Sequence, residues 1–476
     1  MARLADVSVH ALELDELAAV VGPERGAVFK EQAAAARHFL ERRTVLNVNS
    51  TAAGGGVAEM LQTLLAYARG AGVDARWVVI EGDPEFFTVT KRIHNRLYGS
   101  PGDGGALGPD ERIAYERTLH ANAVELRAVL RPSDIVVLHD PQTIGLARTV
   151  RQAGATVVWR CHVGIDTPNE YSEQGWEFLR PYLEDADAVV FTRRAFAPAW
   201  ADPARVHVIA PSIDPFSTKN RDLSPDETGR ILRYVGILSD GDGIEPVPFV
   251  RRDGSPGRVE YHADILQTGA PPPPDAPLVT QVSRWDRMKD MSGVMAGFAE
   301  HVDDAHLVLA GPVVTGVTDD PEGGEVLAEC VEFWRRLPHA VRTRVHLACI
   351  PMHDPDENAT IVNALQRHAT VVTQKSIAEG FGLTVVEAMW KGRPIVASAV
   401  GGISEQIVDG EHGLLLDDPT DLAAFGRALG RLLDDSELRQ RLGANARQRA
   451  TDEFLGARHL EQWAALFARL EAVAGR

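Results

Sequence analysis

A chain of 476 residues, 45% apolar and 24% charged, has the length and composition of two or three folded domains with ample core. Its formal net charge of −18 argues against wholesale binding to nucleic acid or to an anionic lipid surface. The three cysteines, Cys161, Cys330 and Cys349, are scattered, form no Cys-x-x-Cys pair and fit a reducing cytoplasm, and no apolar run reaches membrane-spanning length, so no membrane insertion is expected.

Residues up to Arg43 read as helical, with an alanine-rich face that suits a solvated helix packed on the first domain better than a membrane-surface helix. Strands and helices then alternate. Val45 to Val48 is a first strand, ending at Asn49 and a run of three glycines, Gly54, Gly55 and Gly56, before an amphipathic helix from Val57 to Ala68. Further strands are expected at Trp77–Ile80, Ile135–Leu138, Thr156–Cys161, Ala188–Phe191 and Val206–Ile209, with helices over Phe86–Leu97 and Asp110–Leu130. From Asp214 to Ala276 the alternation breaks, apart from a helix near Pro225–Tyr234, and a proline run closes the stretch. A second series of strands follows at Leu278–Val282, His306–Leu309, Val345–Ala348, Thr370–Thr373, Pro394–Ala397 and Gly413–Leu416, and the tail from Asp421 is nearly all helix, with a break near Phe454–Gly456.

Short apolar strands separated by helices define an α/β class: two Rossmann-like parallel-sheet domains, with a cleft expected between them. The predicted division is residues 1–213, an irregular connection over 214–276, and a second domain over 277–457, with a last helix at about 458–476 returning to the first. In such sheets ligands sit beyond the carboxyl ends of the strands, so chemistry is sought there.

The most informative strand end is Glu379–Glu387, Glu-Gly-Phe-Gly-Leu-Thr-Val-Val-Glu. Gly380 and Gly382 permit close backbone approach to a ligand, and the following helix start offers unpaired N–H groups to an anion. Thr384 and Glu387 also fit a capping box, which would account for Glu387 but not for Glu379 or the glycines. After the first strand of the second series comes Ser283–Asp290, carrying Arg284 and Lys289; read alone it is a solvated loop, and beside the glutamate motif it supplies cations for a diphosphate. The triple glycine is neither a Gly-x-Gly-x-x-Gly fingerprint nor a P-loop, and serves either as a tight turn or as an approach to phosphate or sugar. His162 and the group His139, Asp140 and Gln142 lie at neighbouring strand ends; a single strand-end histidine is more often structural, but two adjacent polar strand ends strengthen each other. Asp-x-Asp pairs at Asp185/Asp187, Asp240/Asp242 and Asp354/Asp356 are of the kind chance produces in an acidic chain. No zinc spacing and no Gly-x-Ser-x-Gly elbow occur, so no metal site and no cofactor are expected.

These motifs resemble the retaining GT-B glycosyltransferases of family 4. Glu379–Glu387 with Arg284 and Lys289 carries the wider likeness. Asn47–Glu59, Arg76–Trp77, His139–Gln142, Trp159–His162, Pro211–Pro215, Asp320–Gly323, Trp390–Pro394 and Val400–Gly402 narrow it to the trehalose glycosyltransferring synthases, with Asn358–Arg367 and Gln374–Ser376 also similar to retaining trehalose phosphorylases. The resemblance implies transfer of glucose from a nucleoside diphosphate glucose to glucose, a phosphorylase or another acceptor being the alternatives. It implies that Arg284 and Lys289 hold the diphosphate, Glu387 the ribose, and Glu379 the hydroxyls of the donor glucose. The Gly380, Phe381, Gly382 and Leu383 backbone would meet phosphate or glucose, with Gly55 and Gly56 over the phosphate. His162 would stand beside the anomeric carbon, and Asn49, His139, Asp140 and Gln142 on the acceptor side. His162, Arg284, Lys289 and Glu379 would be the catalytic group. The nucleotide sugar would be a substrate and not a cofactor, the other partner a small sugar, and a homodimer is left open.

Overall fold

The computed structural model describes residues 4–52, 56–240, 243–314 and 321–474. The chain divides into two compact units, Met1–Ser212 with Phe454–Arg476, and Ile213–Glu453.

In the first unit the strands are β1 (Ala5–Asp6), β2 (Thr44–Asn49), β3 (Asp74–Val79), β4 (Ile135–His139), β5 (Thr156–Cys161), β6 (Ala188–Phe191) and β7 (Val206–Val208), in the order β1-β3-β2-β4-β5-β6-β7. All neighbours are parallel except β1, which runs antiparallel to β3. Strands β2, β4 and β6 are buried along their whole length because helices cover both faces, which is why they read as continuous apolar runs. One face carries Val136, Leu138, Val157 and Trp159 against the helices Pro84–Leu97, Pro109–Val129 and Glu170–Leu183. The other carries Val45, Val137, Val158 and Val190 against Leu40, Trp463 and Phe467. The alanine-rich N-terminal segment forms the helices Leu14–Val20 and Pro23–Leu40, the second burying Phe29, Ala36 and Leu40. The final helix, Gly456–Ala474, belongs to this unit.

In the second unit the main sheet has β10 (Asp264–Leu266), β11 (Leu278–Val282), β12 (His306–Pro312), β13 (Val345–Ile350), β14 (Val371–Gln374), β15 (Ile395–Ser398) and β16 (Leu414–Leu416), in the order β10-β13-β12-β11-β14-β15-β16. The irregular connection expected over 214–276 is corrected here. That stretch belongs to the second unit and contains the helix Pro225–Tyr234, a hairpin of β8 (Val247–Val250) and β9 (Pro256–Val259), and β10, which adds to β13 antiparallel. Val247, Phe249 and Val259 from the hairpin pack with Ile231, Leu232, Ile361 and Leu365 in one core. Arg251 binds Asp354 and Asp356 at the start of the helix Pro355–His368 and fastens the hairpin to it.

Each sheet has one place where neighbouring strands send their connections in opposite directions, between β2 and β4 in the first and between β11 and β14 in the second. A crevice forms at the carboxyl ends of such a strand pair.

Candidate functional site

In the second unit, the loop after β11 and the turn after β14 meet at this switch point. Lys289 Nζ lies 2.6 Å from Glu379 Oε2, with both side chains mostly covered. Glu379 also accepts from Ser376 Oγ at 3.3 Å, Ser376 accepts from Gln374 Nε2 at 3.0 Å, and Gln374 Oε1 accepts from Thr384 Oγ1 at 2.9 Å. This chain links the strand end, the turn and the first turn of the next helix. Arg284 lies on the same loop as Lys289, half exposed, and donates to Asp286 at 3.0 Å.

The helix Leu383–Trp390 begins at Gly382, whose φ of +88° is open to glycine and costly for other residues, and no side chain caps it. Its first N–H groups are therefore presented without a capping acceptor, the arrangement that favours an anion. The turn is held from behind: Gln406 Nε2 donates to the Phe381 carbonyl at 2.6 Å, and Gly401 leaves so little room that any Cβ there would overlap the Glu379 carbonyl oxygen. The capping-box alternative is not what the helix uses. Thr384 is inside it, bonded to Gln374, and Glu387 is buried one turn on, with Gln366 Nε2 at 3.5 Å and Lys219 Nζ at 3.7 Å. Lys391 secures the far end of this helix, its buried ammonium donating to Asn220 Oδ1 at 3.0 Å, Gln366 Oε1 at 2.8 Å and the Glu387 carbonyl at 3.4 Å.

In the first unit the carboxyl ends of β2, β4 and β5 bring together Asn47, His139, Asp140 and His162. The two imidazoles stack at 5.5 Å between centroids, with His139 Nδ1 3.2 Å from His162 Nε2 and His139 Nε2 3.0 Å from Asn47 Oδ1. Burial drives His139 down to about 3, helped by the Arg160 charge, and burial, Arg160 and His139 together hold His162 well below the ordinary imidazole range. Both rings are neutral at neutral pH. Asp140 sits in the left-handed region at φ +60° and accepts the His162 backbone N–H at 2.7 Å. Burial pushes its carboxyl up to about 7 against the opposing pull of that hydrogen bond and of Arg160.

Gln142 lies in the short helix Asp140–Thr143, and its buried Oε1 meets no donor among the described residues. Asn49 is engaged in the loop after β2, accepting from Trp77 Nε1 at 2.8 Å and donating to the Thr51 carbonyl at 2.7 Å. Gly56 opens the helix Gly56–Gly70, while Gly55 lies outside the described residues. Sequence reasoning assigned no role to Asn47 or Gln281. The available signal was a polar residue inside a fully buried strand, which has to find a partner. No group of three or more His, Cys, Asp or Glu residues among the described residues is arranged to hold a metal ion. No helix of the described residues is long and apolar enough to cross a membrane.

The matches to known proteins follow this division. Residues 266–449 match the model of glycosyl transferases group 1, and residues 47–198 match that of the trehalose synthase N-terminal domain. An α,α-trehalose-phosphate synthase (UDP-forming) from Burkholderia vietnamiensis superposes with a TM-score of 0.64 at 16% identity, covering 90% of this chain and 100% of that one. The fold is thus that of the GT-B glycosyltransferases, and the chain is a glycosyltransferase. The trehalose synthase of Pyrococcus horikoshii is 33% identical over 95% of this chain and 95% of its own length. A trehalose phosphorylase of Pleurotus pulmonarius is 24% identical over 85% of this chain and 54% of its own. The chain belongs to the trehalose synthase family of glycosyltransferases.

Proposed function

We propose that this enzyme transfers glucose from a nucleoside diphosphate glucose to glucose, with retention at the anomeric carbon, to form α,α-trehalose, and that it runs the reaction in reverse when nucleotide is supplied. The likeness to trehalose synthases along nearly the full length of both chains supports the sugar assignment. The observation that carries the donor reading is the Lys289–Glu379 pair beside an uncapped helix start at the β11/β14 switch point.

In this reading Lys289, Arg284 and the backbone from Gly380 to Leu383 neutralise the diphosphate, Glu379 takes donor glucose hydroxyls and Glu387 the ribose. By the family resemblance, Gly55 and Gly56 would serve the phosphate and His162 the anomeric carbon. Asp140, Gln142, His139 and Asn49 form the acceptor side, where a neutral imidazole pair and a carboxyl titrating near neutrality suit hydroxyl groups. The bond from the anomeric carbon to the leaving phosphate oxygen breaks while the acceptor hydroxyl oxygen bonds to the same face, and its proton passes to that phosphate oxygen. A covalent route needs a carboxylate nucleophile about 5 Å from its acid partner. Glu379, engaged by Lys289, is a hydroxyl ligand in this reading and not that nucleophile. No metal or cofactor is required by these steps.

The trehalose phosphorylase likeness favours one second reading, in which the same cations take free phosphate and glucose 1-phosphate. Incubating the purified enzyme with trehalose and, separately, UDP, ADP or phosphate decides between them. Glucose release with a nucleotide is expected, and release with phosphate alone overturns the synthase reading.

A further inference from the structure

Behind Lys289 lies a cluster to which the steps above give no part. Lys375 is wholly buried at the end of β14, and its ammonium is paired with Asp290, the residue after Lys289. Asp290 is one of three non-glycine residues with positive φ among the described residues, at +47°, a conformation that asparagine and aspartate adopt more readily than other side chains. The same carboxylate caps the helix Met291–His301 by accepting from the Gly293 N–H at 3.1 Å, in a space that a Cβ on Gly293 would fill. Gln281, buried inside β11, joins the two loops through its one amide. Its Nε2 donates to the Lys289 carbonyl at 2.6 Å and its Oε1 accepts the Lys375 N–H at 2.9 Å.

The backbone on both sides of the Lys289 ammonium is therefore fixed by groups that are not themselves at the Lys289–Glu379 contact. A buried lysine needs a counter-ion, and Asp290 supplies it through a turn that only a tightly held loop would keep. We propose that Gln281, Asp290 and Lys375 are positioning residues that hold Lys289 in the donor anion site, and that Lys375 is the internal counter-ion of Asp290 and not a ligand of the donor. This rests on the reading that Lys289 faces the donor diphosphate.

The test compares K375M, D290N and the double variant K375M/D290N with the wild-type enzyme, using K289A as control. The readouts are affinity for inorganic pyrophosphate by calorimetry, kcat and KM for the glucose donor, and Tm. Asparagine keeps both the cap and the left-handed turn, so the double variant removes charge and leaves geometry. K375M, whose Asp290 carboxylate keeps its cap but loses its counter-ion, and D290N, whose buried ammonium loses its own, are each expected to lose about tenfold or more in pyrophosphate affinity, and the double variant to return to within about threefold of wild type. A lysine that touched the donor would give a double variant as weak as K375M, and that result overturns the proposal, as does a K375M enzyme that binds like wild type. Should K375M fail to fold, the double variant decides alone. Affinity within about threefold of wild type supports the proposal and any larger loss overturns it. Wild-type enzyme that binds no pyrophosphate and turns over no glucose donor overturns the donor-site reading itself. Normal wild-type turnover with an unaltered K375M overturns only the positioning role.

Discussion

The two switch points solve opposite electrostatic problems with the same fold. At the carboxyl ends of β11 and β14, charges are kept and paired, Lys289 with Glu379 and Lys375 with Asp290, next to a helix start without a side-chain cap. At the carboxyl ends of β2, β4 and β5, two imidazoles are held neutral and a carboxyl titrates near 7 beside the buried guanidinium of Arg160. In the proposed reading the first arrangement offers a cation to an incoming anion, with Glu379 exchanging its ammonium partner for sugar hydroxyls. In the proposed reading the second offers neutral imidazole donors and acceptors to the hydroxyl groups of a sugar. The same parallel-sheet topology thus places polar groups at both switch points, while the residues at the strand ends set their charge.

The contrast breaks first at Lys289. Lys289→Ala is expected to lower kcat/KM for the donor by about 10²–10³-fold, mostly in kcat, because charge on the leaving phosphate grows in the transition state. Steady-state kinetics with unchanged kcat/KM would remove Lys289 from the site. Next comes the turn itself. Gly401→Ala must displace the Glu379 backbone and adopt a positive φ of +51°, and is expected to cost about 2–4 kcal/mol of second-unit stability together with donor affinity, read by chemical denaturation and calorimetry. Glu387→Gln is expected to raise the donor KM about tenfold, or about 1.4 kcal/mol, with a smaller effect on Tm. Loss of Tm with unchanged KM would reassign Glu387 to holding Lys219 and Gln366 alone.

The smallest effect sharpens the neutral side. The folded-state values of His139 and His162 are depressed, so below pH 6.5 the unfolded chain takes up protons that the folded chain refuses. Stability therefore falls as pH drops from about 6.5, each ring contributing up to about 1.4 kcal/mol per pH unit, and for His139 this continues towards its folded value near 3. Asp140 acts with the opposite sign: its raised value means the folded chain holds the proton longer, so its contribution is lost as pH rises from about 4 to 7. Denaturation at several pH values should show a shallower acid slope for His139→Asn than for wild type, and an unchanged slope would mean the ring is not buried neutral.

Much of this was legible along the chain. Helices such as Pro225–Tyr234 carry a capping box, with Ser224 Oγ on the Glu227 N–H and Glu227 on the Ser224 N–H, so local chemistry sets their limits. The break at Phe454–Gly456 separates the helices Ser436–Glu453 and Gly456–Ala474. The motif Glu379–Glu387 stood out because glycines between acids after an apolar strand have little other use. Strand β1, two residues long, and the hairpin β8–β9 were not legible. Val247 and Phe249 alternate with exposed Pro248 and Val250 over only four residues, too few for a period to show, and their burial comes from Ile231, Leu232 and Ile361 elsewhere in the chain.

Period, capping and turn chemistry act over a few neighbours, so the kind of each element and the residues placed at strand ends can be read along the chain. The sequence also marked Lys289, Glu379, His139 and His162 as the groups worth following. Which strand ends are adjacent depends on contacts between distant stretches of the chain. Lys289 meets Glu379 across 90 residues because β11 pairs with β14. His139 meets Asn47 across 92 because β4 pairs with β2. Strand order rests on burial summed over two whole sheets, a long-range quantity that no stretch of the chain carries alone, and the same order joins Gln281, Asp290 and Lys375 behind the site.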